Sequence, residues 1–570
     1  MKYELIQERN KQLSLLLQVL TNRGIKNVEG YLHTDDSYIL DPLKLDNMSG
    51  GVRMFLDNQK KKSKVFLLVD SDTDGYTSAA VIYNYAYRMW PDWVESNWTY
   101  YLHETKTHGL KDCIDKILEE NYDFILIPDA GSNDYEEIET LYFKNKDVLI
   151  LDHHEAEKTT NKAVVINNQL CSYPTKSLTG AGIVYKFCQR LDSVLNVEIA
   201  DCFLDLVVAG LIADVADLRD LETHRIVEKG LLHIYSPLLQ TIIDKNDYTL
   251  KGKLNPKGIS FSVAPIINSI TRIGTLEERE LIFKAMIEQD ETFVYDKRGV
   301  GLVEENIYDR AARIAKNAKS RQDKQRDKVF NELKGQANPN DKVIFLESKQ
   351  AQSGLVGLSA MKLADTLRRP VIIVKEITKD GEPILSGSCR NYDGSPISNL
   401  KDLILKTNSF IFCSGHGNAA GLAIKRENVD EAKNKFKELL QNVDFNPSIP
   451  CDFIFDIDEF DIGFIQTIDK YGWLWGACIK EPKVAIENIV ICREDIHVQG
   501  KNFNSISFMN NNIKFVKFNM NEDDPLLEWA SAWDGEENDK ISINVVGTVG
   551  INEYQGIYIP QVVIEDSEIV

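Results

Sequence analysis

The sequence predicts an α/β protein: a parallel-sheet domain, a long connector helix, a second α/β domain and a C-terminal β domain that reads as a barrel. Three observations predict it. Short apolar, β-branched runs alternate with helix-length segments over the first half of the chain. Acidic and histidine clusters stand directly after several of those runs, where ligands gather in open α/β sheets. Past Pro450 the pattern turns to short strands separated by Asn and Gly turns.

Each element follows in order. Residues 1–60 read as a mostly helical lead-in, with LSLLLQVL as a core-facing stripe. Residues 61–297 form the first α/β domain. In it VFLLVD (65–70) is predicted as a buried strand and SAAVIYNYAYRMW (78–90) as the helix after it. FILIPD (124–129), VLILD (148–152) and VVIN (164–167) are predicted as further strands. LTGAGIVYKFCQRL and FLDLVVAGLIADVADL are apolar nearly all round and read as buried helices. The charged pattern NIYDRAARIAKNAKSRQDKQRDKVFNELK predicts a solvent-exposed connector helix over 298–335. Residues 336–446 return to α/β, and 447–570 carry the strands of the expected barrel. The acidic stretches NEDDP and DGEENDK read as solvated loops.

The charge balance of 66 basic against 87 acidic residues gives −21. That excludes a protein that holds nucleic acid by a global positive field, but not an enzyme with a local basic groove. No run of apolar residues is long enough for a membrane span, and the start MKYELIQERNKQL lacks the apolar core of a secretory signal. Nine cysteines without a CxxC pair fit reduced thiols. The expectation is a cytoplasmic protein with no membrane partner.

Four clusters carry chemistry. In VDSDTDG, Asp70, Asp72 and Asp74 follow a strand and precede a helix. Three carboxylates so close repel one another unless a cation sits among them, and oxygen donors select magnesium or manganese. A calcium loop of the EF-hand type is excluded, because its twelfth position is Val81 and a strand precedes it. Asp129 ends a second strand in PDAGSND, and Asp152, His153 and His154 end a third in LDHHEAE. Adjacent histidines point in different directions, so one can ligate a metal while the other donates to an anion. Asp214, in AGLIADVADL, reads as a carboxylate inside an apolar helix, costly unless paired or metal-bound, with capping as the alternative. Such a set can hold two divalent ions ~3.5–4 Å apart.

DSDTDG, DAG, DHH and ADVADL, in this order, resemble the DHH phosphoesterase superfamily, and within it the RecJ-type single-strand-specific exonucleases. PIINSITRIG (265–274), SGLVGLSAMKLADTLRRPVIIV (353–374), SGSCR (386–390), SGHGNAAG (414–421) and INEYQGIYIPQVVIED (551–566) extend the likeness over roughly residues 65 to 566. The resemblance implies a DHH catalytic domain, a DHH-associated domain and an oligonucleotide-binding (OB) barrel. It implies two manganese or magnesium ions held by Asp70, Asp72, Asp74, Asp129, His153 and Asp214, with Asp129 bridging and Asp152 orienting a neighbour. It implies His154 and Arg272 on the scissile phosphate, and Ser388, Arg390 and His416 on downstream phosphates or the chain terminus. The chain departs from the family in YLHETKTHGL (101–110), where His103 and His108 stand in place of the usual Arg and aromatic and are expected to touch substrate.

The expected function is metal-dependent hydrolysis of single-stranded DNA, with the 5′-to-3′ direction implied by the resemblance alone. Partners would be the strand itself and a single-strand-binding protein or helicase, and the chain is expected to be a monomer. Every expected ligand lies between Asp70 and Asp214, so the catalytic cluster is expected to be complete without the β domain. Two rivals remain: a phosphodiesterase for short oligonucleotides or cyclic dinucleotides, against which the barrel argues, and a non-catalytic nucleic-acid-binding protein, against which the carboxylate set argues. His33, His224, His233 and His497 read as isolated surface or core residues. Trp473 and Trp475 either stack on bases or pack on the barrel, and RQDKQRDK (321–328) reads as a solvated helix face.

Overall fold

The computed structural model describes the chain except residues 105–106, 251–253, 339, 380, 446–447, 477, 501–502, 522, 533–538 and 555. Most of DGEENDK, and the boundary expected at 446/447, therefore lie outside the described residues. The chain divides into two compact units, one of Tyr3–Ala315 with Pro450–Val570 and one of Lys316–Ile449.

The first unit is built on five parallel strands: β1 (Val65–Val69), β2 (Trp98–Leu102), β3 (Phe124–Pro128), β4 (Asp147–Asp152) and β5 (Val164–Asn167). Their order across the sheet is β2-β1-β3-β4-β5. Every residue of β1 and β3 is buried, as expected of parallel strands covered on both faces, and this is why they read as unbroken apolar runs. The chain leaves β1 for one side of the sheet and returns to the other side at β3. The carboxyl ends of β1 and β3 thus flank a topological switch point, and Asp70 and Asp129 are the residues that immediately follow them.

Three helices close over that point: α1 (Thr73–Met89), α2 (Gly180–Leu195) and α3 (Leu204–Ala213). Asp72 caps α1, its side chain accepting from the Gly75 N–H. Helix α3 ends one residue before Asp214, so Asp214 is not inside an apolar helix as its sequence context suggests. Val215, at φ 57°, takes the left-handed position that ends the helix.

The long charged helix runs over Ile307–Lys334, so it starts nine residues later than the sequence suggests. The preceding residues form an antiparallel ribbon of Thr292–Lys297 and Gly301–Asn306, turned through Gly299 at φ 80°. The helix is not wholly solvated either: Ile307, Ala311, Ala315 and Ala318 form a buried stripe of mostly small residues. The RQDKQRDK face is ion-paired, Arg326 with Asp323 and Asp327, and Lys362 with Asp327.

The second unit carries a mixed five-stranded sheet in the order Phe410–His416, Ala419–Ile424, Glu382–Arg390, Val371–Lys379, Ile344–Glu347, of which only the last pair is parallel. The C-terminal part of the first unit is a seven-stranded sheet whose longest members, Lys540–Tyr554 and Ile557–Ile569, pair antiparallel. Arg23 of the N-terminal segment grips Asp452 of this part with two 2.8 Å bonds. Trp475 is buried and donates to the Ile468 carbonyl at 3.2 Å, so it packs and offers no face to a base. Trp473 stacks on His224, which in turn stacks on Tyr31 at 3.9 Å, making His224 a core residue.

Candidate active site

The acidic and histidine clusters converge at the carboxyl end of the parallel sheet. Ligand atoms of Asp70, Asp72 and Asp129 lie within 4.8 Å of one another, as do those of Asp74, His153 and Asp214, and those of Asp129, His153 and His154. His153 Nε2 is the hub, 3.2 Å from Asp129, 3.7 Å from Asp214 and 3.8 Å from Asp74. Asp129 belongs to two groups, and its own backbone is unusual. It sits at φ 62° with its N–H bonded to Leu151 O at 2.8 Å, which turns its carboxyl from the end of β3 toward β4.

Asp74 reaches the first turn of α2, accepting from Thr179 Oγ1 at 2.8 Å and from the N–H groups of Gly180 and Ala181. Asp152 accepts from the N–H groups of Ser132, His153 and His154 and from His154 Nδ1 at 2.8 Å. The two adjacent histidines therefore part company: the ring of His153 turns inward, and that of His154 is held by Asp152 with half its side chain exposed.

Glycines make room for the carboxylates. A Cβ at Gly180 would lie 2.4 Å from the Asp129 carboxyl, one at Gly210 2.4 Å from Asp74 Oδ1, and one at Gly75 2.6 Å from Asp70 Cβ.

Burial dominates the electrostatics. It pushes Asp129 and Asp74 above the usual carboxylate range, reinforced at Asp129 by the neighbouring aspartates, and it raises Asp214 to about 8. Burial holds His153 below the usual imidazole value. For His154 burial opposes the charge, but the hydrogen bond to Asp152 outweighs it and the pKa rises to about 9. Asp152 stays well below its usual value against the effect of burial, because His154 and its charge stabilise the anion. Arg272 is half-buried; desolvation lowers its pKa while Asp72 opposes that shift. Its helix neighbour Asn268 accepts from Thr73 Oγ1 at 2.8 Å.

The residues present fit a hard divalent cation. Among the described residues, Asp70 Oδ1 and Asp129 Oδ1 are buried without a hydrogen-bond partner, a costly state for anionic oxygens that a cation relieves. The donor set is five carboxylates and two imidazoles, oxygen-rich as magnesium and manganese prefer.

His103 and His108, expected to touch substrate, both lie beside Asp70. His103 is buried; its Nδ1 is 2.9 Å from both Asp112 oxygens and its Nε2 is 3.7 Å from Asp70 Oδ1. A ring enclosed in this way has no open face for a strand. His108, half exposed, also turns to Asp70. The loop is pinned by Asp134, which accepts the Leu110 N–H at 2.8 Å and lies so close to Gly109, at φ 76°, that no side chain fits there. Asp112, Asp134 and Asn268 escape sequence reasoning. Of the three, Asn268 alone stands in a segment the resemblance draws on; Asp112 meets His103 and Thr107 from a loop, and Asp134 meets Leu110 across 24 residues.

In the second unit, Arg390 and His416 both pair across the ladder with Ala419, and Ser388 pairs with Gly421, so these three residues share one region of the mixed sheet. The Arg390 guanidinium lies over Gly357, at the start of the helix Val356–Leu367.

Comparison with known proteins agrees with this geometry. The model of the DHH family, N-terminal domain, matches residues 64–211, and that of the RecJ OB domain matches 451–566. The chain is 35% identical, over its full length and 98% of the other protein, to the “Putative SPbeta prophage-derived single-strand DNA-specific exonuclease YorK” of Bacillus subtilis (strain 168). It is 25% identical to the single-stranded-DNA-specific exonuclease RecJ of the same organism, over 97% of this chain and 68% of that one. The crystal structure of RecJ in complex with Mn2+ from Thermus thermophilus shares the fold, with a TM-score of 0.73 at 18% identity over 97% of this chain and 76% of that chain. A parallel sheet with its carboxylates at the switch point, the matched domains at both ends and a relative of this identity over its whole length lead to one conclusion: the chain belongs to the RecJ-type single-strand-specific exonucleases of the DHH family.

Proposed function

We propose that the protein is a metal-dependent exonuclease that hydrolyses phosphodiester bonds of single-stranded DNA in the 5′-to-3′ direction. The observation that carries this reading is the convergence of Asp70, Asp72, Asp74, Asp129, His153 and Asp214 in overlapping groups around buried carboxylate oxygens that lack a hydrogen-bond partner among the described residues. Asp70, Asp72 and Asp129 would hold one divalent ion, and Asp74, Asp129, His153 and Asp214 a second. When bound, two manganese or magnesium ions supply Lewis acidity at the phosphoryl oxygens and an acidified water for in-line attack.

The chain's own groups prepare the rest. Asp152 fixes the His154 ring by one side-chain bond and the turn by three backbone bonds, leaving a cationic imidazole to meet the non-bridging oxygens of the scissile phosphate. Arg272 adds a second cation on the Asp72 side. Ser388, Arg390 and His416 would bind phosphates further along the strand, and Gly415, at φ 126°, lets backbone approach them closely. His103 and His108, facing Asp70, position that carboxylate rather than the strand.

Such an enzyme works in the cytoplasm as a monomer on strands freed by a helicase or covered by a single-strand-binding protein. Among the described residues no helix is long and apolar enough to cross a membrane. The test uses 5′- and 3′-labelled single-stranded and duplex DNA with manganese, magnesium or chelator. Stepwise loss of 5′ nucleotides from single strands, abolished by EDTA, is expected; metal-independent cleavage or a preference for duplex refutes the reading.

A further inference from the structure

Cys478 Sγ lies 3.0 Å from the carbonyl oxygen of Ala216 and 3.4 Å from that of Val215. Those carbonyls belong to the turn that carries Asp214 out of α3. The turn is costly by itself, because Val215 holds φ 57°, a left-handed conformation that Cβ branching opposes and for which glycine is the usual choice. Two local bonds close it, from Val215 N to Ile212 O and from Ala216 N to Leu211 O. A non-glycine residue stays in this region only where its surroundings over-determine it.

The surroundings come from the C-terminal β domain, and they are firmly anchored. Trp473 stacks on His224 with ring centroids 5.7 Å apart. Lys257 pairs with Glu481 at 2.7 Å, and Arg23 donates to the carbonyls of Lys480 and Glu481. Gly476 faces Pro256 so closely that a Cβ would stand 3.2 Å from its ring. The described residues of the 472–481 segment are thus tied to the N-terminal helix, to the helix bearing His224 and to the Asn255–Gly258 turn.

We propose that this segment is a positioning element of the active site. Through Cys478 it holds the 214–216 turn, and with it the Asp214 carboxylate, in register with Asp74 and His153. The inference rests on the metal-dependent reading above and goes beyond it: the β domain acts on the chemistry as well as on the strand. Every ligand still lies between Asp70 and Asp214, but on this proposal the alignment of one of them depends on residues after 450.

The test compares full-length Cys478→Ala, Cys478→Ser and Trp473→Ala with the wild type. Mn2+ binding is read by electron paramagnetic resonance without DNA, and kcat and KM are read on a short labelled oligonucleotide. Both alanine variants are expected to bind one of the ions ~10-fold more weakly and to lose ~10-fold in kcat at unchanged KM, the size typical of losing an outer partner of a ligand. Cys478→Ser keeps a donor and is expected to stay near wild type. Wild-type Mn2+ affinity and kcat in both alanine variants, a lowered melting temperature alone, or a rise confined to KM overturns the positioning role. A wild type that binds no Mn2+ overturns the metal-dependent reading itself.

Discussion

His108 Nδ1 lies 2.5 Å from Asp70 Oδ2, while His103 Nε2 stands 3.7 Å from Asp70 Oδ1, so one buried carboxylate lies between two imidazoles. Asp112 grips the far nitrogen of His103. A carboxylate–imidazole–carboxylate chain of this kind fixes the orientation of the last member.

His103→Ala and Asp112→Ala are each expected to lower kcat by ~10–100-fold with weaker metal binding and little change in KM. Because the two residues act as one unit, the double variant should fall little below either single one. Kinetics with metal titration checks this; additive losses would break the unit, and losses confined to KM would return His103 to strand binding.

Asp129→Ala should abolish cleavage while leaving the fold intact. It lies in two ligand groups, and losing several kcal/mol of charge stabilisation is roughly a 10³-fold loss or more. In the wild type, metal at about 100 times Kd should stabilise by about 2.7 kcal/mol, and the variant should lose most of that gain. Calorimetric melting with and without Mn2+ measures both.

His153 and His154 should fail differently. His153→Ala removes the hub of the cluster and should weaken metal binding and rate together. His154→Ala leaves the ligand groups of Asp70 and Asp74 untouched, so rate should drop about 100-fold, as for a lost charge-stabilising donor, at near-normal metal affinity. Isothermal titration with Mn2+ separates the two; equal metal loss in both would erase the division.

The metal-free protein should lose stability as pH rises. Asp214 titrates at about 8 in the fold against about 3.9 in an unfolded chain, and Asp74 and Asp129 are shifted the same way. The folded state therefore holds more protons between those values, and its advantage is fully present below the unfolded value and gone above about 8. Bound metal replaces the protons, so the gain in melting temperature on adding Mn2+ should grow from pH 6 to pH 8, with protons released on binding. A gain independent of pH would contradict the raised carboxyl values.

What the sequence made legible follows from range. The strands ending at Val69, Pro128 and Asp152 were readable because burial on both faces demands unbroken apolar runs, and their terminal carboxylates marked the site. The boundary of the long helix was not, because the 292–306 ribbon is short and largely exposed, with no buried apolar run, and its signal is little more than the Arg298–Gly301 turn. Asp214 looked helical because nothing in AGLIADVADL announces a valine in the left-handed region. The tie between His103 and Asp112 was not legible, because Asp112 lies in a loop, where no helical or strand period ties one residue to another. Cys478, more than 260 residues from the carbonyls it meets, left no local trace.

The glycines pressed against Asp70, Asp74 and Asp129 have a genetic consequence. At Gly75, Gly180 and Gly210 even one methyl group would collide with a carboxylate or its backbone, so the tolerance of these sites to change is set by the aspartates. A random screen for null alleles should recover alanine or serine at these three positions about as readily as changes at the aspartates themselves. Such alleles would keep every acidic side chain and still be inactive, and a search for lost ligands alone would pass them over.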